Sequence, residues 1–406
     1  MAEERPRGGE TGTDGGSAPT RKERRREAAA ARRRARRTWE YLIGGVAAVV
    51  LAVGVAAALT AHHQNTARAA DTTTTTHPAA PPAACPLTGT PAPGGVVPAR
   101  PALAFKIGNY SGDRPSAGLN QADIVFEEPV EGAITRLVAV FQCQSAPLVG
   151  DLRSARQPDV GILSQLSHPI FVHAGGIAPV LSLLANAPLD DRNILAGSGS
   201  GIINPSSRYA PYATFSNTAM SWALAPSDTA PPAPIFSYGT ALPPGAIPSS
   251  GGSVHIPFGS SSDVTWQWNA ATGTYLREYS GQPDILVGGA QTSATNVVVM
   301  SVTTSTGSWV ENEEGGREVV VTSTGTGPLL VLRNGAAVMG TWSRAAPTQP
   351  ATLTSSSGSP IDLAPGNTWV ELVPQHTPIQ LAPVAGSTGS TGTTAPSSTS
   401  PTTTAR

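Results

Sequence analysis

Charge is scarce in this chain. Asp, Glu, Lys and Arg make up 13% of its 406 residues, against roughly 25% in an ordinary soluble domain. Cysteine is scarcer still, with only Cys85 and Cys143. Two cysteines so far apart allow at most one disulfide and no cysteine-based metal site. The histidines (His62, His63, His77, His168, His173, His255 and His376) contain no helical His-x-x-x-His pair, so no metal is expected. The run Gly197-Ser198-Gly199-Ser200-Gly201 lacks the Lys-Ser/Thr ending of a phosphate loop and the central serine of a nucleophile elbow. It reads as a flexible loop, and no cofactor is expected.

What is present separates sharply along the chain. Residues 1–40 hold 12 Lys or Arg and 7 Asp or Glu with almost no apolar periodicity, the composition of a disordered basic segment. Tyr41 to Ala61 then carry no charge over 21 residues, long enough at 1.5 Å per residue to cross a hydrocarbon core of about 30 Å. A cleaved secretory signal is the rival reading, but its apolar core is usually shorter. The run Arg32-Arg33-Arg34-Ala35-Arg36-Arg37 on the N-terminal side places that end in the cytoplasm and the body outside. Trp39 and Tyr41 fit an interfacial anchor. The expectation is a single-pass protein of the cell membrane, its partner the bilayer itself.

Residues 62–84 are a Thr/Pro-rich spacer, and 384–406 repeat Ser, Thr, Gly and Pro, compositions that build no core. About 300 residues lie between them. Beyond residue 40 the chain has 14 basic and 20 acidic residues, a balance that argues against nucleic acid as partner. Outside the cytoplasm Cys85 and Cys143 could pair, remain free thiols, or leave Cys85 to carry a lipid.

The pattern in the exported part is α+β. A mixed α/β domain is expected over 85–250 and a mostly antiparallel β domain over 251–383, behind the transmembrane helix. Strands are expected at Pro101 to Ile107, Ala122 to Phe126, Ile134 to Gln142 and His168 to His173, with helices starting near Pro158 and after Gly175-Gly176. Residues 188–248 read as a long loop pinned by Tyr209, Tyr212, Phe215, Trp222, Phe236 and Tyr238. In the second part, Val264 to Trp268 and Thr274 to Tyr279 form a hairpin, and Asn334-Gly335 turns another. A last strand pair is expected between Ile361 to Leu363 and Thr368 to Val373 around Pro365-Gly366.

Against this weakly charged background, Glu127, Glu128, Glu131, Arg136, Asp151, Arg153 and Arg156 fall within 34 positions, between Asp123 and Arg156. Buried charges must be paired or must serve a ligand. Arginine's planar fork suits carboxylates and phosphates, so Arg136, Arg153 and Arg156 could hold an anionic group. The same residues could pair with Glu127, Glu128, Glu131 or Asp151 in a structural network. Strand ends and helix starts should bring Arg153, Arg156 and His173 to one sheet edge, beside Gly175 and Gly176. The candidate ligand-binding set is therefore Glu127, Glu131, Arg136, Arg153, Arg156, His173, Gly175 and Gly176. Its ligand is expected to be an anionic cell-wall polymer or an envelope protein. The alternative is an envelope hydrolase or transferase using Glu131, Arg153 and His173.

A set of motifs resembles the YerB-type lipoproteins of bacteria. They are Pro86-Leu87-Thr88-Gly89, Arg100-Pro101, Arg114-Pro115, Gly118-Leu119, Ala122-Asp123-Ile124-Val125, Glu131-Gly132, Thr135-Arg136, Arg153-Ser154-Ala155-Arg156 and His173-Ala174-Gly175-Gly176. Further along, Tyr275 with Arg277, Asn296-Val297-Val298-Val299, Gly340-Thr341-Trp342 and Thr368-Trp369-Val370 continue the likeness. It covers about residues 86 to 374 and implies an extracytoplasmic location and a two-part layout, but no reaction. Two departures stand out. The apolar span replaces the family's lipid-attachment cysteine, and Tyr212-Ala213 stands where relatives tend to carry His-Asn.

Overall fold

The computed structural model describes residues 83–386, except 198–201, 206 and 226–229. The expected basic segment, the membrane helix, almost all of the spacer, most of the tail and most of the Gly197 to Gly201 loop lie outside the described residues. Among the described residues no helix is long and apolar enough to cross a membrane.

Strands β1 (Leu103–Gly108), β2 (Ile124–Val130), β3 (Ile134–Phe141) and the short β4 (Val149–Gly150) come first. They are followed by helix α1 (Pro158–Leu163), β5 (Ile170–His173), helix α2 (Ala178–Ala185) and β6 (Asp190–Asn193). The long connection contains β7 (Phe215–Ser216) and helix α3 (Thr218–Trp222). After it come β8 (Ser253–Gly259), β9 (Ser262–Asn269), β10 (Thr274–Tyr279), β11 (Gln282–Pro283) and β12 (Ser293–Ala294). The chain then forms β13 (Asn296–Val310), β14 (Arg317–Thr322), β15 (Gly325–Arg333), β16 (Ala336–Arg344), β17 (Thr352–Ser355), β18 (Thr368–Pro374) and β19 (Gln380–Ala382). Helices α1 and α2 each carry proline in the first turn, where its missing N–H costs nothing.

Eleven strands form one mixed sheet in the order β17-β16-β15-β13-β18-β2-β3-β1-β5-β6, with β14 beside β13, and six form a second sheet. The architecture is α+β and predominantly β. Strands of the C-terminal part enter the large sheet directly, because β18 pairs in parallel with both β13 and β2. Their runs explain it: Val297-Val298-Val299 and Trp369-Val370 are buried throughout, as strands covered on both faces must be. The expected hairpin between 361–363 and 368–373 is not formed. The Leu363 amide instead donates to Ser237 O at 2.8 Å and the Ile361 amide to Leu353 O at 3.0 Å. With β18 central, both of its edges are already taken by strands from elsewhere.

The connection over 188–248 is pinned by most of the aromatics expected to hold it, but not by Tyr209, which is 83% exposed. Trp222 Nε1 donates to Pro101 O at 3.1 Å and Tyr238 Oη to Leu87 O at 2.5 Å, while Phe215 is fully buried.

The two faces of the large sheet meet different layers. One packs Ile124, Phe126 and Val138 against Ile162 and Leu163 of α1 and Val180 and Leu184 of α2. The other packs Val125, Leu137 and Trp369 against Val254, Trp266 and Tyr275 of the second sheet. Trp266 and Trp369 meet edge-on with ring centroids 5.0 Å apart, a geometry that contributes about 1 kcal/mol beyond area burial. Cys85 and Cys143 are joined by a disulfide, S–S 2.10 Å, across a sequence separation of 58. A loop of that length corresponds to about 4 kcal/mol of closure entropy removed from the unfolded chain.

Candidate functional site at the carboxyl edge of the large sheet

Strand directions define the site. β13–β18, β18–β2, β1–β5 and β5–β6 are parallel pairs, and β3 is antiparallel to both β1 and β2. Six strands therefore point their carboxyl ends toward one edge, the usual ligand edge of such sheets. Near that edge stand Lys106 on β1, Glu127 and Glu128 on β2, His173 on β5 and Glu371 on β18, all fully buried. Successive strand residues face opposite sides, so Glu127 and Glu128 belong to different surroundings.

Glu127 faces the second sheet. Its carboxylate accepts two hydrogen bonds from Arg277 Nη2, at 2.7 and 3.0 Å, one from Asn109 Nδ2 at 3.0 Å and one from Thr135 Oγ1 at 2.7 Å. Arg277 also donates through Nη1 to Asp284 at 2.7 Å. Glu371, Glu127's register partner on β18, accepts from Trp266 Nε1 at 2.7 Å. Burial, and then the neighbouring Glu127, push the Glu371 carboxyl well above the usual range.

Glu128 faces the helices and pairs with Lys106, whose Nζ also donates to Asp159 at 2.7 Å. Asp159 in turn accepts the Arg156 amide at 2.6 Å. The Arg156 guanidinium holds Glu131 in two hydrogen bonds, one from Nε at 2.9 Å. Burial alone would raise Glu131, but the Arg156 hydrogen bond and the charges of Arg136 and Arg156 keep it below the usual carboxylate range. Arg136 donates to Ser154 O at 2.5 Å and approaches Glu131 at 3.6 Å. Its own pKa falls to about 10, through burial and then the repulsion of Arg156.

Arg153 is the most open of the three arginines, its side chain 23% exposed against 8% for Arg136 and 6% for Arg156. Its Nε lies 3.4 Å from Asp113, Nη1 donates to Pro211 O at 3.0 Å, and the guanidinium faces the Tyr212 ring at 5.3 Å. Asp151 accepts the Thr214 amide at 2.8 Å, and burial raises its carboxyl to about 7.

The two sequence blocks do meet. The Ala174 amide donates to Arg153 O and the Ala155 amide to Gly175 O, both at 3.0 Å. Gly175 sits at φ +82°, a left-handed conformation that favours glycine. Gly176 leaves room for Leu181, which approaches to 3.2 Å of where a Cβ would stand. The side chains diverge from this shared backbone. His173 stacks on Phe171, with Nε2 2.6 Å from Asp191 and Nδ1 2.7 Å from Gly175 O. With Glu131 clamped by Arg156 and both His173 nitrogens engaged, neither offers a free base.

Sequence reasoning left out Lys106, Asp113, Asp159, Arg277, Asp284, Glu311 and Glu371 as site members. For Lys106 and Glu371 the signal was there, a lone charge inside an apolar strand. Among the described residues no group of three or more His, Cys, Asp or Glu is placed to hold a metal ion.

Comparison with known proteins agrees with this organisation. Residues 87–230 match the family described as "Protein of unknown function (DUF3048) N-terminal domain", and residues 254–370 match its C-terminal domain. The chain is 41% identical over 115 residues to "Putative lipoprotein YerB" of Bacillus subtilis (strain 168), a match spanning 28% of this chain and 34% of that relative. It thus covers about a third of the relative's length. The crystal structure of YerB protein from Bacillus subtilis superposes with a TM-score of 0.63 at 23% identity, over 73% of this chain and 99% of that one. At that identity the likeness is one of fold.

Proposed function

The chain belongs to the DUF3048 family, and from that premise we propose that it is a membrane-associated extracytoplasmic protein that binds an anionic cell-envelope component at the carboxyl edge of its large sheet. The uncharged stretch Tyr41 to Ala61, with arginines before it, serves as a single-pass anchor with the N-terminus in the cytoplasm. This is the counterpart of the lipid that the relative's name implies for YerB. The Cys85–Cys143 disulfide suits an oxidising compartment. The ligand site comprises Arg136, Arg153, Arg156 and Glu131, with His173, Gly175 and Gly176 forming its backbone wall and Glu127 bracing β2 from behind.

The observation that carries this reading is Arg153, a partly open guanidinium set over Tyr212 at the edge where parallel strands end. Arginine keeps its charge and offers paired donors to carboxylate or phosphate oxygens. The test uses the full chain in detergent and membrane-free cell-wall material in a co-sedimentation assay, so that the apolar anchor does not itself carry the protein into the pellet. Saturable association that weakens with added salt and with Arg153→Ala is expected, with the envelope material recovered chemically unchanged. Salt-independent association, or new products detected by mass spectrometry, would contradict it.

A further inference from the structure

Beyond Val302, β13 leaves the large sheet. Its last pairs there are Met300 with Leu329 of β15 and Val302 with Pro374 of β18, and from Thr303 to Val310 its partner is β14 alone. A lone two-stranded ribbon is marginal in water, so this one depends on what it lies upon. Its apolar side is held by Val321, which is buried, and by Trp309 and Val319, which pack against the core beside α1.

The second hold is at the tip. The Glu311 amide donates to Gly316 O at 2.8 Å and the Gly316 amide to Asn312 Oδ1 at 2.6 Å, closing a turn that carries Glu311, Glu313 and Glu314. Glu313 and Glu314 are exposed, while Glu311 turns inward and is 8% exposed. Its carboxylate stands 3.3 Å from Arg156 Nε, yet neither oxygen has a hydrogen bond. Burial raises its proton affinity above the usual carboxylate value; Arg156 opposes this and Glu131 adds to it. Arg156 already gives its two-point grip to Glu131, so Glu311 is held by charge alone. That is a weak hold for a buried carboxylate.

We propose that the β13–β14 ribbon is a lid over the Arg136 and Arg156 guanidinium groups, and that Glu311 occupies the position of a ligand's oxyanion until the ligand displaces it. The inference rests on the anion-binding reading above and adds its regulation. A competitor tethered to the protein lowers apparent affinity by the fraction of time the site is open. Removing its charge restores that factor, roughly tenfold for a lid closed nine-tenths of the time.

The experiment titrates the full chain and Glu311→Gln calorimetrically with two probes. Glycerol 3-phosphate supplies a phosphate and N-acetylglutamate supplies carboxylates, so the arms separate the two sources of the oxyanion. The exchange of amide hydrogens in β14 is followed on both proteins without ligand. The lid predicts binding about tenfold tighter in Glu311→Gln for the favoured probe and faster exchange over Arg317–Thr322. If the unaltered chain binds a probe but Glu311→Gln binds it equally or more weakly, the lid is overturned and the binding reading stands. Unchanged exchange in β14 also overturns the lid. If neither protein binds either probe, both readings fall.

Discussion

Glu127 and Glu128 are neighbours in β2, yet their side chains enter two surroundings with different physics. On the Glu127 side, Arg277, Asn109 and Thr135 converge on one carboxylate, and Arg277 and Glu371 are fully buried. This inner cluster joins the second sheet to the first, since Arg277 lies on β10 and Glu127 on β2. On the Glu128 side, the chain of pairs runs outward through Asp159, Arg156 and Glu131 to Arg136 and the ribbon glutamate Glu311. Beside its outer end stands Arg153, partly exposed. A closed network fixes architecture, whereas one with loosely held members at its rim can exchange a partner for a ligand.

The largest effect should come from breaking the inner cluster. Arg277→Met strands the fully buried Glu127 without its cation and leaves Asp284 only Arg114, 3.6 Å away, and should cost about 3–5 kcal/mol, read as a loss of unfolding free energy in denaturant. A cost below 1 kcal/mol would mean that the inner cluster does not hold the two sheets together. Removing the disulfide by Cys85→Ser with Cys143→Ser comes next, at about 2–4 kcal/mol, measured in the same way and with binding of anionic ligands retained.

The pH dependence of stability carries contributions of both signs. Burial raises Asp123 to about 6 and Asp151 to about 7, above the value of about 3.9 expected in the unfolded chain. The native state therefore holds more protons between these values. Stability from these groups is greatest below the unfolded value and declines as pH rises through about 6 to 7. Glu131 has the opposite sign, because its depressed pKa contributes stability above the unfolded value that is lost only on acidification. Melting curves from pH 5 to pH 8 should show falling stability, and Asp151→Asn should flatten the slope. A slope unchanged by that substitution would refute the assignment.

Arg153→Ala should have the smallest effect on stability, below about 1 kcal/mol for a partly exposed pair. Its effect on ligand binding should be larger, about tenfold, equivalent to one charge-assisted hydrogen bond. That contrast is the reverse of the one expected for Arg277→Met.

Much of the large sheet's N-terminal half was legible because its signals are local. Pro158 in the first turn of α1 and Gly175-Gly176 ahead of α2 are such signals, and beyond that half Asn334-Gly335 between β15 and β16 and the alternation in β9 and β10 of the second sheet likewise specify nearby contacts. The closeness of Arg153 to Arg156 and His173 to Gly176 was legible too, from the repeated order of strand, turn and helix. The parallel insertion of β18 between β13 and β2 was not, since Thr368–Pro374 sits more than 200 positions from Ile124–Val130 and no local residue encodes that pairing. The continuation of β13 beyond Val302 into the ribbon and the placement of Glu311 escaped for the same reason. A glutamate in a turn looks solvated in sequence, and only the tertiary fold places it against Arg156.

The central claim, that the rim cluster is a ligand site and the inner cluster is architecture, is tested most directly by one pair of titrations. Glycerol 3-phosphate or N-acetylglutamate is titrated into the full chain and into Arg153→Ala at low and at high salt, alongside their unfolding free energies. The account predicts saturable binding that salt weakens, an affinity about tenfold lower in Arg153→Ala, and nearly equal stability of the two proteins. Equal affinity of the two proteins, or no saturable binding of either probe, would contradict it.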